Sequence, residues 1–457
     1  MDNTTSRLTD FAMAFASSPL PVATVHECKR RIIDTLACAF GAYEDPVSQL
    51  ARNVATRYCG TPGASVWGST ASTSQEAAAF ANGVMLRVLD LSDTYLGKSR
   101  GHPSDVISGI MAVGESVGAS GIAVINAITL AYEIYCSFCD AIDINSRGWD
   151  QPVYSGFASA IGIGKLLGLT RDQMANAISL ALTPNMAMYQ TRQGQLSSWK
   201  GCASANAARN AVFAAMLARD GFTGPGESFE GGSGLWNAVG KIDWELPVAN
   251  SPNKITQTHM KCFPICYHGQ SSAWAAFQAR KQVKPEQINS IEVATYRQAV
   301  AMMGADPSRW APETRETADH SLPFVVATGL LHGEITSRSF SNERLADTAI
   351  AAIMRKVKVV EDTTLSAQYP DSAASRLTIG TDDNNTLVID VQYPKGHANL
   401  PMDDPQVEDK FIDLFQQYGD AGHARTVLAA LWNFDRMPDT RQLAALLSRS
   451  NPTSARN

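Results

Sequence analysis

The first half of the chain repeats one pattern, in which apolar residues return every three or four positions. This spacing places them on one face of a helix, and it recurs from about residue 5 to residue 250. Many of these faces carry Ala and Gly, whose small side chains allow close approach between helices. The pattern predicts a packed bundle with helices over residues 25–43, 74–90, 103–117, 121–140, 156–167, 171–182 and 203–220.

The pattern changes after about residue 258. Segments rich in β-branched residues alternate there with short helical segments, which is typical of a small α+β domain. Helical periodicity returns from about residue 404, so we expect this tail to pack on the bundle. Residues 450–457 have the composition of a disordered end. Strands are predicted over residues 291–296, 356–362, 376–381 and 386–394, and helices over 321–331 and 342–354.

The 457 residues have an ordinary globular composition, with 45% hydrophobic and 18% charged residues. The net charge of -6 argues against wholesale nucleic-acid binding, which needs clustered Lys and Arg. The N-terminus lacks the features of a signal peptide, and the best candidate for a membrane span, residues 121–131, is too short. We therefore expect a cytoplasmic protein without a membrane partner; a mitochondrial location stays open for a eukaryotic source. Eight Cys in this length do not suggest a disulfide scaffold.

Residues 89–105 form the first cluster of candidate functional residues. Asp90, Asp93 and Thr94 end one predicted helix, and His102 stands directly before a Pro that favours the first helical turn. The positive end of a helix dipole favours neutral imidazole, which makes His102 a candidate general base. The alternative is that His102 only caps the helix and that both acids are solvated.

Residues 192–210 form a second cluster. Ser197 or Ser198 can cap a helix that runs to Gly221, and Lys200 then lies near its positive end. A Lys beside free backbone N–H groups can hold a carboxylate or a phosphate. The alternative is a Lys whose stem packs on the apolar face while its ammonium reaches solvent.

Residues 259–270 lie where the pattern changes, and domain junctions are preferred places for ligand pockets. Lys261 is accompanied there by two Cys and two His around a Pro. These four side chains superficially offer a metal site, but their spacings match no standard zinc pattern, so no metal is predicted. The four residues are His259, Cys262, Cys266 and His268.

The fourth cluster, residues 315–333, places Asp319, His320 and Ser321 before an apolar helix, where a capping role and a functional role are equally compatible with the spacing. The chain has no Gly-rich phosphate loop after a strand, no nucleophile elbow and no paired CxxC. We therefore predict no cofactor.

Taken together, these clusters resemble the MmgE/PrpD family over nearly the whole chain. The resemblance implies a mainly α protein, with a large all-helical domain from residues 1–257 and 396–457 and a smaller α+β lid domain from residues 258–395. It also implies a homodimer without a metal or Fe–S cofactor. The matching segments are RRIIDTLACAFGA, LDLSDT, GHPSD, GKLLGL, the segment around Lys200, MKCFPIC, RETADHSLPF and PKGHANLPMDDPQVEDKF.

The resemblance also implies a set of site residues. The catalytic candidates are His102, Asp90, Asp93, Lys200 and Lys261, and the substrate-binding candidates are Thr94, Lys200, Lys261, Cys266 and His320. The chain departs from the family where Ser92, Cys266 and Phe324 stand, and its WDQPVY segment, residues 149–154, lacks a His. These departures bear on the substrate more than on the fold.

Family members act on di- and tricarboxylates at a carbon beside a carboxylate. Removing that proton develops negative charge, which Lys200 and Lys261 would stabilise while His102 takes the proton. Asp90 or Asp93 is a candidate to protonate the leaving group if its pKa is raised; otherwise a Lys or water does so. We expect a hydro-lyase acting on a 2-methylcitrate- or citrate-like acid. The alternatives are cis-aconitate decarboxylation, epimerisation of an amino-diacid such as iminodisuccinate, and a non-catalytic polycarboxylate-binding protein.

Overall fold

The structure, a computed structural model, describes residues 1–15, 19–58, 63–248 and 253–448. Its first part is helical, with two small antiparallel pairs of two-residue strands, β1 with β2 and β3 with β4. The elements are α1 (Asn3–Ala14), α2 (Val22–Gly41), α3 (Pro46–Ala55), β1 (Ala64–Ser65), β2 (Ser72–Thr73), α4 (Gln75–Arg87), β3 (Tyr95–Leu96), β4 (Arg100–Gly101), α5 (Ile107–Val117), α6 (Gly121–Ala141), α7 (Pro152–Leu166), α8 (Arg171–Leu182), α9 (Trp199–Arg219) and α10 (Leu235–Val239).

The second part combines short helices with one four-stranded sheet of order β6-β5-β7-β8. β5 pairs parallel with β6 and antiparallel with β7, and β7 pairs antiparallel with β8. The elements are α11 (Gln270–Arg280), β5 (Ile288–Thr295), α12 (Arg297–Met303), α13 (Arg315–Ala318), α14 (Leu322–His332), α15 (Asn342–Leu345), α16 (Thr348–Met354), β6 (Val357–Glu361), α17 (Thr363–Ala367), β7 (Ser375–Thr381) and β8 (Thr386–Val391).

The tail returns to the helical part with α18 (Asp404–Phe415), α19 (Ala421–Trp432) and α20 (Arg441–Leu447). The larger hydrophobic core combines side chains from Leu8 to Met260 with side chains from Met402 to Leu447. A smaller core extends from Ile265 to Val391 and includes both the sheet and α14. The predicted mainly α character and the return of the tail are therefore confirmed. The expectation for residues 450–457 lies outside the described residues.

Small residues allow the helices around the site to pack closely. α9 packs on α4, α7 and α8. A Cβ added at Gly83 of α4 would lie 2.8 Å from the Cβ of Ala205 in α9, so only Gly permits this approach. The Ala- and Gly-rich faces of the sequence thus do what the pattern predicts, and they hold the start of α9 next to the end of α4.

Three local predictions need correction. The helix predicted over residues 103–117 begins with a 3-10 turn, Pro103–Val106, before α5. The segment over 342–354 contains two helices, because the Asp347 side chain accepts a hydrogen bond from Ala349 N and starts a new one. The apolar helix α6 is 21 residues long, so length alone would allow it to span a membrane, contrary to our expectation. Its most apolar 18-residue stretch is 83% buried within the protein, as in a core helix.

Lys410 of α18 connects the tail to the segments that build the site. Its Nζ donates to the carbonyl oxygens of Leu91 at 3.2 Å and Lys261 at 2.8 Å. The same ammonium lies 2.6 Å from Asp34 Oδ1 in α2. One largely buried cation therefore holds three distant segments of the chain in register.

Glu133 of α6 supports the segment that leads to Lys261, because its Oε1 accepts a hydrogen bond from Lys254 N at 2.7 Å. Burial raises the pKa of Glu133 from 4.5 to about 7, although the Lys254 backbone and charge oppose that rise. The folded state therefore disfavours the ionised carboxylate. The resulting loss of stability begins as the pH rises above 4.5 and is complete above about pH 7.

We expect Glu133→Gln to stabilise the fold at pH 8 by about 3 kcal/mol, because the amide cannot ionise. At pH 5 the gain should fall below about 1 kcal/mol. Urea unfolding at both pH values measures the difference, and Glu286→Gln at an exposed position is the control. An equal gain at the two pH values would contradict this account.

Candidate active site

A cleft lies where the two cores meet, and it encloses about 450 Å³ of space, counting the solvent at its mouth. Both parts of the chain contribute to its walls. The helical part supplies Asp90, Thr94, Arg100, Gly101, His102, Asn145, Asp150, Gln151 and Arg192, and the α+β part with the segment before it supplies Lys261, Cys266, Tyr267, His268, Met302 and His320.

Asp90 is the centre of the charged network at this cleft. Its side chain is buried, and it has a positive φ of 50°, which is uncommon for a residue other than Gly. Lys261 Nζ donates to both its carbonyl oxygen and its Oδ1 at 2.8 Å, and Lys200 Nζ lies 3.2 Å from its Oδ2. Burial raises the pKa of Asp90, but Lys200, Lys261 and Arg87 outweigh that effect and hold the pKa well below its usual range.

His102 presents an unprotonated nitrogen to the cleft. Its Nδ1 lies 2.7 Å from the carbonyl oxygen of Asp93, so Nδ1 carries the hydrogen and donates it. Its Nε2 is left with a lone pair, 4.0 Å from Asp90 Oδ1. Burial, followed by the charges of Arg87 and Lys261, lowers the pKa of His102 well below 6.5. The imidazole is therefore neutral at physiological pH.

The cause of this neutrality differs from the one that we expected. His102 precedes a 3-10 turn, and its side chain makes no capping hydrogen bond there. The capping alternative is therefore wrong. Desolvation and two nearby cations, rather than a helix dipole, keep the ring neutral.

Asp93 lies beside this site and does not line the cleft. Its carboxylate accepts hydrogen bonds from Ser104 N at 3.0 Å and from Tyr132 Oη at 2.9 Å. Burial raises its pKa against the opposing charge of Arg31. The Asp93 side chain therefore orders its own loop, and the Asp93 carbonyl oxygen orients His102.

Thr94, by contrast, lines the cleft and connects its two sides. Its backbone exchanges two hydrogen bonds with His259, Thr94 N to His259 O at 2.8 Å and His259 N to Thr94 O at 2.7 Å. This bridge aligns the loop after α4 with the segment that carries Lys261. The bridge therefore brings Lys261, two residues after His259, next to Asp90, four residues before Thr94.

Lys200 is the second residue of α9 and is buried behind the cleft wall. Its Nζ lies 2.9 Å and 3.0 Å from the two oxygens of Asp319, in addition to its contact with Asp90. The predicted serine cap is wrong, because the N-cap residue Ser198 makes no side-chain capping bond and lies in helical conformation. The two carboxylates, rather than the helix terminus, satisfy this ammonium.

The sequence left a capping role and a functional role open for the segment Asp319-His320-Ser321, and in the structure these roles belong to different residues. Ser321 caps α14, since its side chain accepts from Phe324 N. His320 Nδ1 lies 2.5 Å from Asp319 Oδ1 and 3.8 Å from Asp90 Oδ2. His320 also lines the cleft, next to Cys266.

The side chains considered for a metal site at residues 259–270 separate in space. His259 stacks on His397 with ring centroids 4.2 Å apart, and Cys262 Sγ lies 3.3 Å from the Lys395 carbonyl oxygen. His268 Nδ1 is 2.6 Å from Tyr296 Oη. Donor atoms of Asp90, Asp319 and His320 do converge within 4.8 Å, but Lys200 and Lys261 already supply positive charge to these carboxylates.

Sequence reasoning missed the arginines of the cleft, although all of them lie in or beside segments that it singled out. Arg192 Nε donates to Asp150 Oδ2 at 2.9 Å. Arg100 Nη2 donates to Tyr189 Oη at 3.1 Å, and among the described residues Arg100 has no carboxylate within ion-pair distance. No local pattern distinguishes such an Arg from a solvated one, because the fold alone brings it to the cleft.

Comparisons with known families agree with this arrangement. The family model described as the MmgE/PrpD N-terminal domain matches residues 6–246, and the MmgE/PrpD C-terminal domain matches residues 263–436. The chain belongs to the MmgE/PrpD family. The resemblance inferred from its motifs is confirmed.

Relatives within the MmgE/PrpD family include enzymes named 2-methylcitrate dehydratase. The one from Escherichia coli K12 is 27% identical over 443 residues, covering 90% of each chain. The one from Cupriavidus necator is 29% identical over 406 residues, covering 83% of this chain and 82% of its own. A cis-aconitate decarboxylase-like protein of Aspergillus oryzae is 24% identical and covers 98% of this chain and 97% of its own.

The departures from the family pattern have different positions in the MmgE/PrpD fold. Ser92 is buried and accepts from Arg87 Nη1 at 2.9 Å, and Phe324 is buried in the smaller core. Only Cys266 of these three lines the cleft. The WDQPVY segment, the fourth departure, also reaches the cleft through Asp150 and Gln151. Cys266 and this segment are therefore the departures placed to influence the chemistry directly.

We expect Asp90→Asn to abolish most activity and to destabilise the fold by about 3 kcal/mol, because two buried ammoniums lose their shared carboxylate. Asn tolerates the positive φ, so the backbone adds little to that loss. Urea unfolding measures it, and Asp390→Asn at an exposed ion pair is the control that should change stability only slightly. Wild-type stability in Asp90→Asn would show that other groups hold the lysines.

Proposed function

We propose that this chain is a lyase that removes water from a tricarboxylic acid of the 2-methylcitrate or citrate type. The observation that carries the proposal is the neutral His102, whose unprotonated Nε2 faces a cleft lined by fixed cations. Such a base beside positive charge suits proton removal from a carbon next to a carboxylate. The dehydratase names of the two bacterial relatives support the same chemistry.

The charges of the cleft favour a substrate with several carboxylates. Lys261, Arg100 and Arg192 face the space, and Asp90 and Asp150 neutralise part of their charge. Arg100 is left for a substrate carboxylate, and its planar fork can bind both oxygens. A tricarboxylate can contact all three cations at once.

The first chemical step follows from the geometry of His102. Its Nε2 takes the proton from the carbon beside a carboxylate, and negative charge develops on the oxygens of that carboxylate. Lys261 stabilises this charge, because it is fixed in a buried position before the reaction begins. Lys200 acts through Asp90 and Asp319 and positions the network instead of contacting the substrate.

The second step breaks the bond between carbon and the leaving hydroxyl, which requires a proton donor. Asp90 is unsuited to this task, because neighbouring cations hold its pKa well below the usual range and keep it ionised. Asp93 has a raised pKa but does not line the cleft. The donor must therefore be sought among other groups.

Decarboxylation of cis-aconitate and epimerisation of an amino-diacid remain the alternatives, because all three reactions begin beside a carboxylate. The Aspergillus oryzae relative is named a cis-aconitate decarboxylase-like protein, so the experiment below also tests for decarboxylation. The homodimer stays a prediction, as does activity without a cofactor.

The decisive experiment incubates the protein with 2-methylcitrate, citrate and cis-aconitate, and follows unsaturated product by absorbance and evolved CO2. We expect unsaturated product from 2-methylcitrate or citrate and no CO2 from cis-aconitate. His102→Ala should lower kcat by about 10²–10⁴ with a smaller change in KM. Because the pKa of His102 lies well below 6.5, kcat/KM should not fall as the pH drops through 6.5. CO2 release from cis-aconitate would overturn the proposed reaction.

We expect Arg100→Gln to raise KM for a tricarboxylate by about tenfold or more, since a charge-assisted contact is worth about 1.5–3 kcal/mol. KM should change less for a dicarboxylate that lacks the corresponding group. Lys98→Gln is the matched control, because Lys98 is exposed, stands two positions before Arg100 and loses the same charge. Equal effects of the two substitutions would assign Arg100 only a general electrostatic role.

A further inference from the structure

The proton donor for the leaving hydroxyl can be sought at the other end of the Asp90 network, and the inference rests on the proposed dehydration. Cys266 lies on the cleft wall and is 6% exposed. Its backbone N donates to the Asp319 carbonyl oxygen at 2.9 Å, which joins the segment before α11 to the segment before α14. Cys266 and His320 both line the cleft, and His320 lowers the pKa of the Cys266 thiol.

We propose that Cys266, His320 and Asp319 form a proton relay in which the Cys266 thiol protonates the departing hydroxide. His320 Nδ1 is 2.5 Å from Asp319 Oδ1, so Nδ1–H donates to that carboxylate and Nε2 keeps a lone pair. In the proposed relay this lone pair faces the Cys266 thiol, which lines the same cleft. Lys200 holds Asp319 through both carboxylate oxygens. An orienting carboxylate, an imidazole and a thiol therefore follow one another into the cleft.

The relay and the base occupy the two sides of one carboxylate. His102 Nε2 lies 4.0 Å from Asp90 Oδ1, and His320 Nδ1 lies 3.8 Å from Asp90 Oδ2. A small acid bound against Asp90 and Lys261 can reach both. This separation gives the proton acceptor and the proton donor different places on the substrate.

The proposed elimination balances without any further reactant. His102 Nε2 receives the proton from carbon, the electron pair of the C–H bond forms the C=C bond, and the C–O bond breaks. The departing hydroxide takes the proton of Cys266 Sγ and leaves as water. His102 then releases its proton to solvent. The thiolate regains a proton that His320 Nε2 takes from solvent and passes on, and all three groups return to their starting states.

The surroundings of Cys266 suit a donor at neutral pH. Burial raises the pKa of the Cys266 thiol, but His320 lowers it more strongly. Asp90 raises this pKa and Lys261 lowers it by smaller amounts, and the resulting pKa is about 7. Arg100 lines the same cleft as the thiol. A proton donor works best when its pKa is near the working pH.

The first test needs no substrate. We expect iodoacetamide to alkylate Cys266 with a rate that rises through about pH 7 in the wild type. In His320→Gln the midpoint should move toward the ordinary thiol value of about 8.5. Peptide mass spectrometry identifies the modified residue, and Cys262→Ser, which changes a thiol outside the cleft, should leave the titration unchanged. An unaltered midpoint in His320→Gln would overturn the relay.

The second test separates proton removal from loss of water, with citrate and 2-methylcitrate in D2O. Cys266→Ala should eliminate water about 10²–10⁴ times more slowly than the wild type. It should still exchange the substrate proton for deuterium, because His102 is intact. The fall of wild-type kcat/KM above about pH 7 should move to higher pH in His320→Gln.

The outcomes distinguish the relay from the proposed function. Normal elimination by Cys266→Ala in a protein whose wild type is active would overturn the relay alone. A covalent adduct between Cys266 and substrate, seen by intact mass, would also overturn it by making the thiol a nucleophile. A wild type inactive on both acids would overturn the proposed function together with the relay.

Discussion

A single buried carboxylate, that of Asp90, holds the site of this MmgE/PrpD protein together. It neutralises ammoniums from α9 and from the segment between the two cores, and it accepts from the guanidinium of Arg87 in α4. A buried charge without a partner is costly, so these elements are stable only when they meet. The positive φ of Asp90 is the local strain that this arrangement tolerates. His102 and His320 lie near the two different oxygens of this carboxylate, so each imidazole has its own fixed surroundings.

Much of this architecture is readable in the sequence, because its causes are local or periodic. The helical faces, the change of pattern near residue 258 and the returning tail all follow from the spacing of apolar residues. The group His102, Lys200 and Lys261 is recognisable from its motifs, and the structure brings its members together around Asp90.

The rest depends on contacts between segments that no local pattern records. Ser198 has the composition of a cap, yet the ammonium two residues later is held by distant carboxylates. Arg100 reaches the cleft only because the β3–β4 pair turns it there. His102 is neutral because of burial and cations supplied by other elements, which a dipole argument from its own helix does not contain.

The position of Lys410 in α18 has a consequence for biosynthesis. Its ammonium bonds the carbonyl oxygens of Leu91 and Lys261, so the geometry around Asp90 includes a contact from near the end of the chain. During translation, every residue that faces the cleft leaves the ribosome before Lys410 does. The segments that carry Leu91 and Lys261 therefore cannot be joined in this way until Lys410 has emerged from the ribosome. Until then Asp34 lacks the ammonium that lies 2.6 Å from its Oδ1 in the folded protein.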